Sequence, residues 1–431
     1  MPQSSCLPID VKSLVAILAA ALLVAGCATG KGEQDDDVLT GADVKSENIK
    51  LDPMLIRVGP EGESEAVDVT EVFKKAYESY SDRRYEKAAR HYEFIIEYFE
   101  DSRYYMPSMY NLGLAYEKLE RWDEAAGIYE RIIREEPEGE DAKDAYFRLA
   151  QAYDNTGDHQ KTVELMTNVL LQDGLSNFDR VEAHLRRSNA LLALEQWQEA
   201  EDGYRNAVEV NEKASPDERL AADSHLLVQA HFGLGRAYHG QVGDIRLLLP
   251  PDRMGQDLDR KGKLFMSAQH HYIEALRHHH PNWSMAAGYM IGKLYEDFYT
   301  DIFEAEIPDD LTEEEIALYF EELRKHIRPL MERAIDVYEK NLSLSRRMGE
   351  SEQKNKWVKE TKQSLEHLKL FLNDPVTQRR AEILVQRGGD FESLWEPQDT
   401  AKDLVQHAVG EAESKAANPE SDEQDSQAAA E

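Results

Sequence analysis

The sequence predicts an all-α protein: an α-solenoid of about six stacked helix pairs wound as a right-handed superhelix, with two insertions and a C-terminal capping helix. Three observations lead there. Residues 109–137, MYNLGLAYEKLERWDEAAGIYERIIREEP, read as two amphipathic helices joined by a short turn. Gly113 and Ala125 are small where the two helices must cross closely, Tyr116 and Tyr129 fill the space around the crossing, and Pro137 ends the second helix. The pattern then recurs. Tyr85, Trp122, His159 and Trp197 each precede Ala88, Ala125, Thr162 and Ala200 by three residues, at intervals of 37, 37 and 38. Finally, 41% hydrophobic and 31% charged residues with only 15 prolines in 431 suit a water-soluble, helix-rich body. A single pair leaves an apolar face uncovered, so neighbours stack, and the inner helices line a concave wall.

Taken in order, the chain opens on a segment with the layout of a targeting signal, 1–26. Lys12 precedes the apolar run 14–25, LVAILAAALLVA, which is short for a membrane span and is followed by Gly26 and Cys27. Leu23-Val24-Ala25-Gly26-Cys27 resembles the bacterial lipobox, and that resemblance implies that Cys27 becomes the acylated first residue of a mature lipoprotein. Ala28 and Thr29 follow, with no Asp beside the cysteine, which resembles sorting to the outer membrane on its periplasmic side. Cys6 and Cys27 are the two cysteines of the chain, so none remains for a disulfide or a metal. Residues 27–69 are polar and lack helical periodicity, which predicts a flexible tether; Met54, Leu55, Ile56 and Val58 form a small apolar cluster within it.

Helix pairs 1–4 are expected over 70–212, the first carrying Ala76, Ala88, Tyr92 and Ile95. The span 213–350 holds pairs 5 and 6, each opened by an insertion. Phe232, Leu234, Gly235 and Tyr238 mark a first helix whose partner, with Ala268, Tyr272 and Ala275, comes about twenty residues late, and Pro250-Pro251 bars a continuous helix between them. Trp283, Ile291, Gly292 and Tyr295 mark the next, whose partner with Ala334 and Tyr338 is delayed by about thirty. The acidic start at Glu313-Glu314-Glu315 predicts an extra helix in that second interval. Residues 351–375, with Trp357, Thr361, Leu365, Leu368 and Leu372 on one stripe, suit the capping helix; 376–408 is partly helical; 409–431 is an acidic tail expected to be disordered.

The offsets Met109, Leu112-Gly113, Tyr116, Ala125, Tyr129, Ile132 and Pro137 resemble those of the tetratricopeptide repeat. In that family the first helix of each pair lines a protein-binding groove, so the resemblance implies Phe73, Tyr77, Tyr80, Tyr110, Leu114, Phe147, Gln151, Leu185 and Asn189 as groove residues. Residues 70–375 also resemble the envelope tetratricopeptide-repeat lipoproteins of myxobacteria, including those of the adventurous gliding-motility machinery. The matching segments are Asp244-Ile245-Arg246 through Pro250 to Met254, then Ala268-Gln269 with Tyr272, Ile273 and Ala275, and Ala286-Ala287-Gly288-Tyr289 with Ile291-Gly292 and Leu294-Tyr295-Glu296. Ile307-Pro308 with Leu311 and Glu321-Glu322-Leu323-Arg324 continue them. The first four pairs also resemble the outer-membrane lipoprotein of the barrel-assembly machinery and the periplasmic coordinators of cell division, which lack the two insertions.

A net charge of −34 repels phosphate backbones, which disfavours nucleic acid as a partner. No Gly-rich phosphate loop, serine elbow or HExxH is present, and no catalytic residue or cofactor is expected. The histidines between His270 and His280 (His270, His271, His278, His279, His280) could bind a metal, yet no carboxylate or cysteine falls at a matching spacing, so helix-end or solvated histidines are the plainer reading. The expected function is a non-enzymatic adaptor that engages other proteins of an envelope complex while Cys27 holds it to the membrane. The alternatives are a barrel-assembly or peptidoglycan-associated accessory lipoprotein, and a metal- or ligand-binding envelope protein that uses the histidine cluster.

Overall fold

The computed structural model describes residues 54–58, 64–221, 224–277, 281–308, 310–389 and 391–395. The signal segment, Cys27, most of the expected tether, His278–His280 and the acidic tail lie outside the described residues. The chain divides into two compact units. One comprises residues up to Asp244 together with Gly262–Ala287; the other comprises Ile245–Lys261 and the chain from Gly288 onward.

The first unit opens on a β-hairpin, β1 (Met54–Val58) antiparallel to β2 (Ser64–Asp68), where the sequence suggests an irregular tether over 27–69. The reason is the alternation in each strand. Leu55 faces Val67 across the pair, and both pack against the core of the helices that follow. Asp68 then caps the next helix by accepting a hydrogen bond from the Thr70 amide at 2.9 Å.

Helices α1 (Val69–Ser81) and α2 (Tyr85–Tyr98) form the first pair, α3 (Tyr105–Lys118) and α4 (Trp122–Glu135) the second, α5 (Glu140–Thr156) and α6 (His159–Leu170) the third, and α7 (Asn177–Ala193) and α8 (Trp197–Lys213) the fourth. Each packs on the helix before and after it, and α9 (His225–Gly243) continues the series against α7 and α8. A Cβ on Gly113 would lie 2.6 Å from the Tyr129 ring, so the close crossing of α3 and α4 requires glycine there. The same contact joins Gly235 to Tyr272 within this unit, and Gly292 to Tyr338 in the other. One packing solution is therefore reused across the sequence, including the pairs whose helices are spaced irregularly.

The boundary between units falls inside α10 (Pro251–Arg277) and α11 (Pro281–Phe303). Much of the first insertion is thus the opening of α10 rather than a loop, and the chain break between α9 and α10 sits at Pro250-Pro251, where a helix cannot continue. The second unit holds the long helix α12 (Glu313–Met348), then α13 (Lys356–Asn373), α14 (Pro375–Gln386) and a 3-10 turn, Glu392–Trp395. The extra helix expected between α11 and the Ala334–Tyr338 helix is not separate. It is continuous with it as a single 36-residue helix that passes through Pro329. Phe320, Ile327 and Met331 are buried on either side of that proline and hold the two halves against one core of Tyr299, Phe303, Leu368, Phe371 and Phe391. The insertion lengthens the second helix of the sixth pair. Val358, Thr361, Leu365, Leu368 and Phe371 form the buried face of α13, so this stripe contains Phe371 where the sequence suggests Leu372.

Candidate partner-binding face

The nine residues expected to line a groove divide sharply by burial. Phe73 is packed between Tyr92 and Tyr104, at ring separations of 5.8 and 4.8 Å, and Tyr80 lies against Tyr85 at 5.3 Å. Tyr110, Leu114, Phe147 and Leu185 are buried too. These six fill the core within and between the helix pairs. Buried as they are, these six offer a ligand little surface. The physical reason is that α3 is enclosed almost all round, with every residue from Ser108 to Tyr116 buried. Tyr77 is 36% exposed, and Gln151 and Asn189 keep part of their surface; these three remain available.

Around Gln151 and Asn189 the first helices present polar chemistry. In α5, Arg148 Nε donates to Asp144 Oδ2 at 2.7 Å, and its Nη1 donates to Glu117 Oε2 of α3 at 3.1 Å. The Tyr129 hydroxyl donates to the other oxygen of Glu117 at 2.6 Å, and the Tyr110 hydroxyl donates to Asp144. Arg148 thus ties the second pair to the third. Burial opposes its charge, but Asp144, the two phenols and Glu117 outweigh burial and push the guanidinium pKa above its ordinary value. Burial, with Glu117 next in importance, pushes the Tyr129 phenol up. Side-chain exposures of 20% for Arg148 and 10% for Glu117 mark this pair as substantially desolvated, where removal of one partner would strand the other.

The same design recurs in α7, where Arg186 Nε donates to Glu182 Oε1 at 2.8 Å and the guanidinium carbon stands 6.0 Å from the centroid of the Phe147 ring. Asp144, Arg148 and Gln151 are followed after 38 residues by Glu182, Arg186 and Asn189. Each of these two repeats therefore sets a carboxylate, a guanidinium fixed to it one turn later, and an amide along one stripe of its first helix. Asn189 Oδ1 accepts the Tyr204 hydroxyl, which leaves its NH₂ group as donor, while Gln151 uses only its main chain, accepting from Asn155 Nδ2 at 2.8 Å. Paired charges held in fixed geometry beside free amides suit hydrogen bonding to a polypeptide backbone. The sequence already suggests Gln151 and Asn189 as groove residues but not the charged Asp144, Arg148, Glu182 and Arg186, for which the repeat interval itself is the available signal.

Of the histidine cluster, the structure describes His270 and His271 in α10, and it brings His271 to a different partner. His231 Nδ1 and His271 Nδ1 are 3.4 Å apart, and the His271 ring stacks between those of His231 and Tyr238, each centroid 5.6 Å away. Burial first, then His231, pushes the His271 imidazole down to about 4. Among the described residues no three His, Cys, Asp or Glu side chains come together in a way that could hold a metal ion.

Residues 108–141 and 144–173 each match the tetratricopeptide repeat family, so the second and third helix pairs are tetratricopeptide repeats. None of the curated proteins matches the sequence. Among solved structures, a putative kinesin light chain with nearly identical TPR-like repeats from Podosopora anserina is 18% identical, covers 46% of this chain and 94% of its own, and has a TM-score of 0.34. A tetratricopeptide repeat protein from Parabacteroides merdae is 17% identical, with 68% of this chain and 98% of its own covered at a TM-score of 0.34. A TPR repeats protein from Bacteroides fragilis is 15% identical, with 53% and 99% covered at 0.30.

Proposed function

We propose that this chain is a protein-interaction scaffold of the bacterial envelope, held to the periplasmic side of the outer membrane by acyl chains on Cys27 and serving a complex such as the adventurous gliding-motility machinery whose lipoproteins it resembles. Its partners are other envelope proteins, and no reaction is assigned to it. The observation that carries the binding role is the doubled stripe of Asp144, Arg148 and Gln151 with Glu182, Arg186 and Asn189, set on the first helices of consecutive repeats. An extended segment laid along that stripe would find alternating donors and acceptors already oriented, which lowers the ordering cost of binding. The lipobox-like LVAGC supplies the anchoring half of the reading, because several acyl chains on one residue hold a protein durably to a bilayer.

Two substitutions test the halves separately. Gln151→Ala removes an amide that makes no side-chain bond among the described residues and leaves both the Arg148 strut and the Asn189–Tyr204 bond in place; a lost hydrogen bond is worth about 1 kcal/mol, so partner affinity should fall roughly 5-fold with thermal stability unchanged. Undiminished affinity would refute the stripe. Cys27→Ser should move the protein from the membrane fraction to the soluble periplasmic fraction, and retention in the membrane fraction would refute the anchor.

A further inference from the structure

The β-hairpin presents two faces with different work to do. Leu55 and Val67 face the helices and join their core. On the opposite face of β1, Met54 and Ile56 stand 65% and 66% exposed, and the residue across from Ile56, Ala66, is exposed as well. Among the described residues these are the only two exposed large apolar side chains that lie two apart on one strand. Nothing in the packing of the first unit calls for apolar side chains there, since the inward positions already complete the contact with α1.

β1 begins roughly 27 residues after Cys27, so an acylated Cys27 keeps the hairpin within at most about 95 Å of the bilayer surface even with the intervening chain fully extended. Covalent tethering raises the local concentration of lipid around it, so a contact too weak to hold a free protein suffices for an anchored one. We propose that the Met54–Ile56 face rests on the lipid surface, with both side chains entering the headgroup boundary and setting how the first unit meets the membrane. The inference rests on the anchoring reading above. The lipid it fits is zwitterionic. Between residues 45 and 68 the sequence carries Glu47, Asp52, Glu61, Glu63, Glu65 and Asp68 against Lys45, Lys50 and Arg57, a balance that an anionic surface would repel.

The test uses the full mature lipoprotein bound to phosphatidylcholine vesicles, with a nitroxide on Ile56→Cys and, separately, on Leu171→Cys, which is 79% exposed in the same unit. Acylation occupies Cys27, so each label is unique. On vesicles, the label at 56 should gain several-fold in collision with dissolved oxygen and lose several-fold in collision with an aqueous nickel chelate, while the label at 171 stays unchanged. A label at 56 that remains open to the nickel chelate while the protein sediments with the vesicles overturns the proposal and spares the anchor. Shielding from both reagents means that a protein surface covers the face, and also overturns it. Failure to sediment overturns the anchor and the proposal together.

Discussion

Gly113 is a residue at which the repeat leaves no room for a side chain. The Tyr129 ring stands where a side chain would begin, and both are buried, so Gly113→Val must push α3 and α4 apart or force the ring from its rotamer. Overpacking of this kind costs typically about 1–3 kcal/mol, and a chemical denaturation curve should show that loss without a change in its slope; an unaltered midpoint would mean that the crossing is loose. The two histidines pushed furthest down give a second residue-level expectation. His184 is driven to about 4 by burial and then Arg187, and His271 to about 4 by burial and then His231. The unfolded chain takes up protons at these sites near the ordinary value of 6.5, whereas the folded chain does not. Stability from these sites is therefore complete above about 6.5 and is lost as the pH falls through about 4. Thermal midpoints measured from pH 7.5 down to 4.5 should decline, and His184→Phe with His271→Phe should flatten the decline; an equally steep decline in the double variant would contradict the assignment. Much of this scale was readable in advance. Gly113 and Tyr129 stand at fixed offsets, and the close crossing they imply is present. The fate of Phe73, Tyr110 and Phe147 was not readable, because an aromatic residue on the first helix fits equally a groove or a seam, and only the position of the next helix decides.

At the scale of elements, α12 teaches the most. Proline in a helix interior removes a hydrogen bond and presses on the carbonyl four residues earlier, which disfavours a continuous helix through Pro329. Here Phe320 and Ile327 before the proline and Met331 after it are buried in a shared aromatic core, and tertiary packing overrides the local preference. Pro329 itself is exposed. Replacing it by alanine should therefore restore the missing bond at no cost in packing and stabilise the second unit by roughly 1–3 kcal/mol. Hydrogen exchange along residues 322–332 would report the change as slower exchange, and faster exchange would show that the proline itself is required there. The start of α12 was legible for the opposite reason: Thr312 and Glu315 form a local capping box, with the Glu315 carboxylate accepting from the Thr312 amide at 2.9 Å, and such signals need no distant partner. The β-hairpin was hidden because Leu55 and Val67 are drawn into register only by the core they cover.

At the scale of the whole chain, stacked helix pairs carry a stripe of prepaired charges with amide donors beside them. A net charge of −34 would favour partners that are neutral or basic on the contacting side and would make capture weaken as salt rises. The central claim is that the stripe through Gln151 and Asn189 is where a protein partner lies. Photocrosslinking from these two positions in living cells tests it most directly, with Leu171 and the exposed Val376 of the second unit as comparisons. The account predicts a discrete crosslinked species of one common mass from positions 151 and 189 and none from 171 or 376. Equal yields at all four positions, or adducts only from the comparison positions, would contradict it.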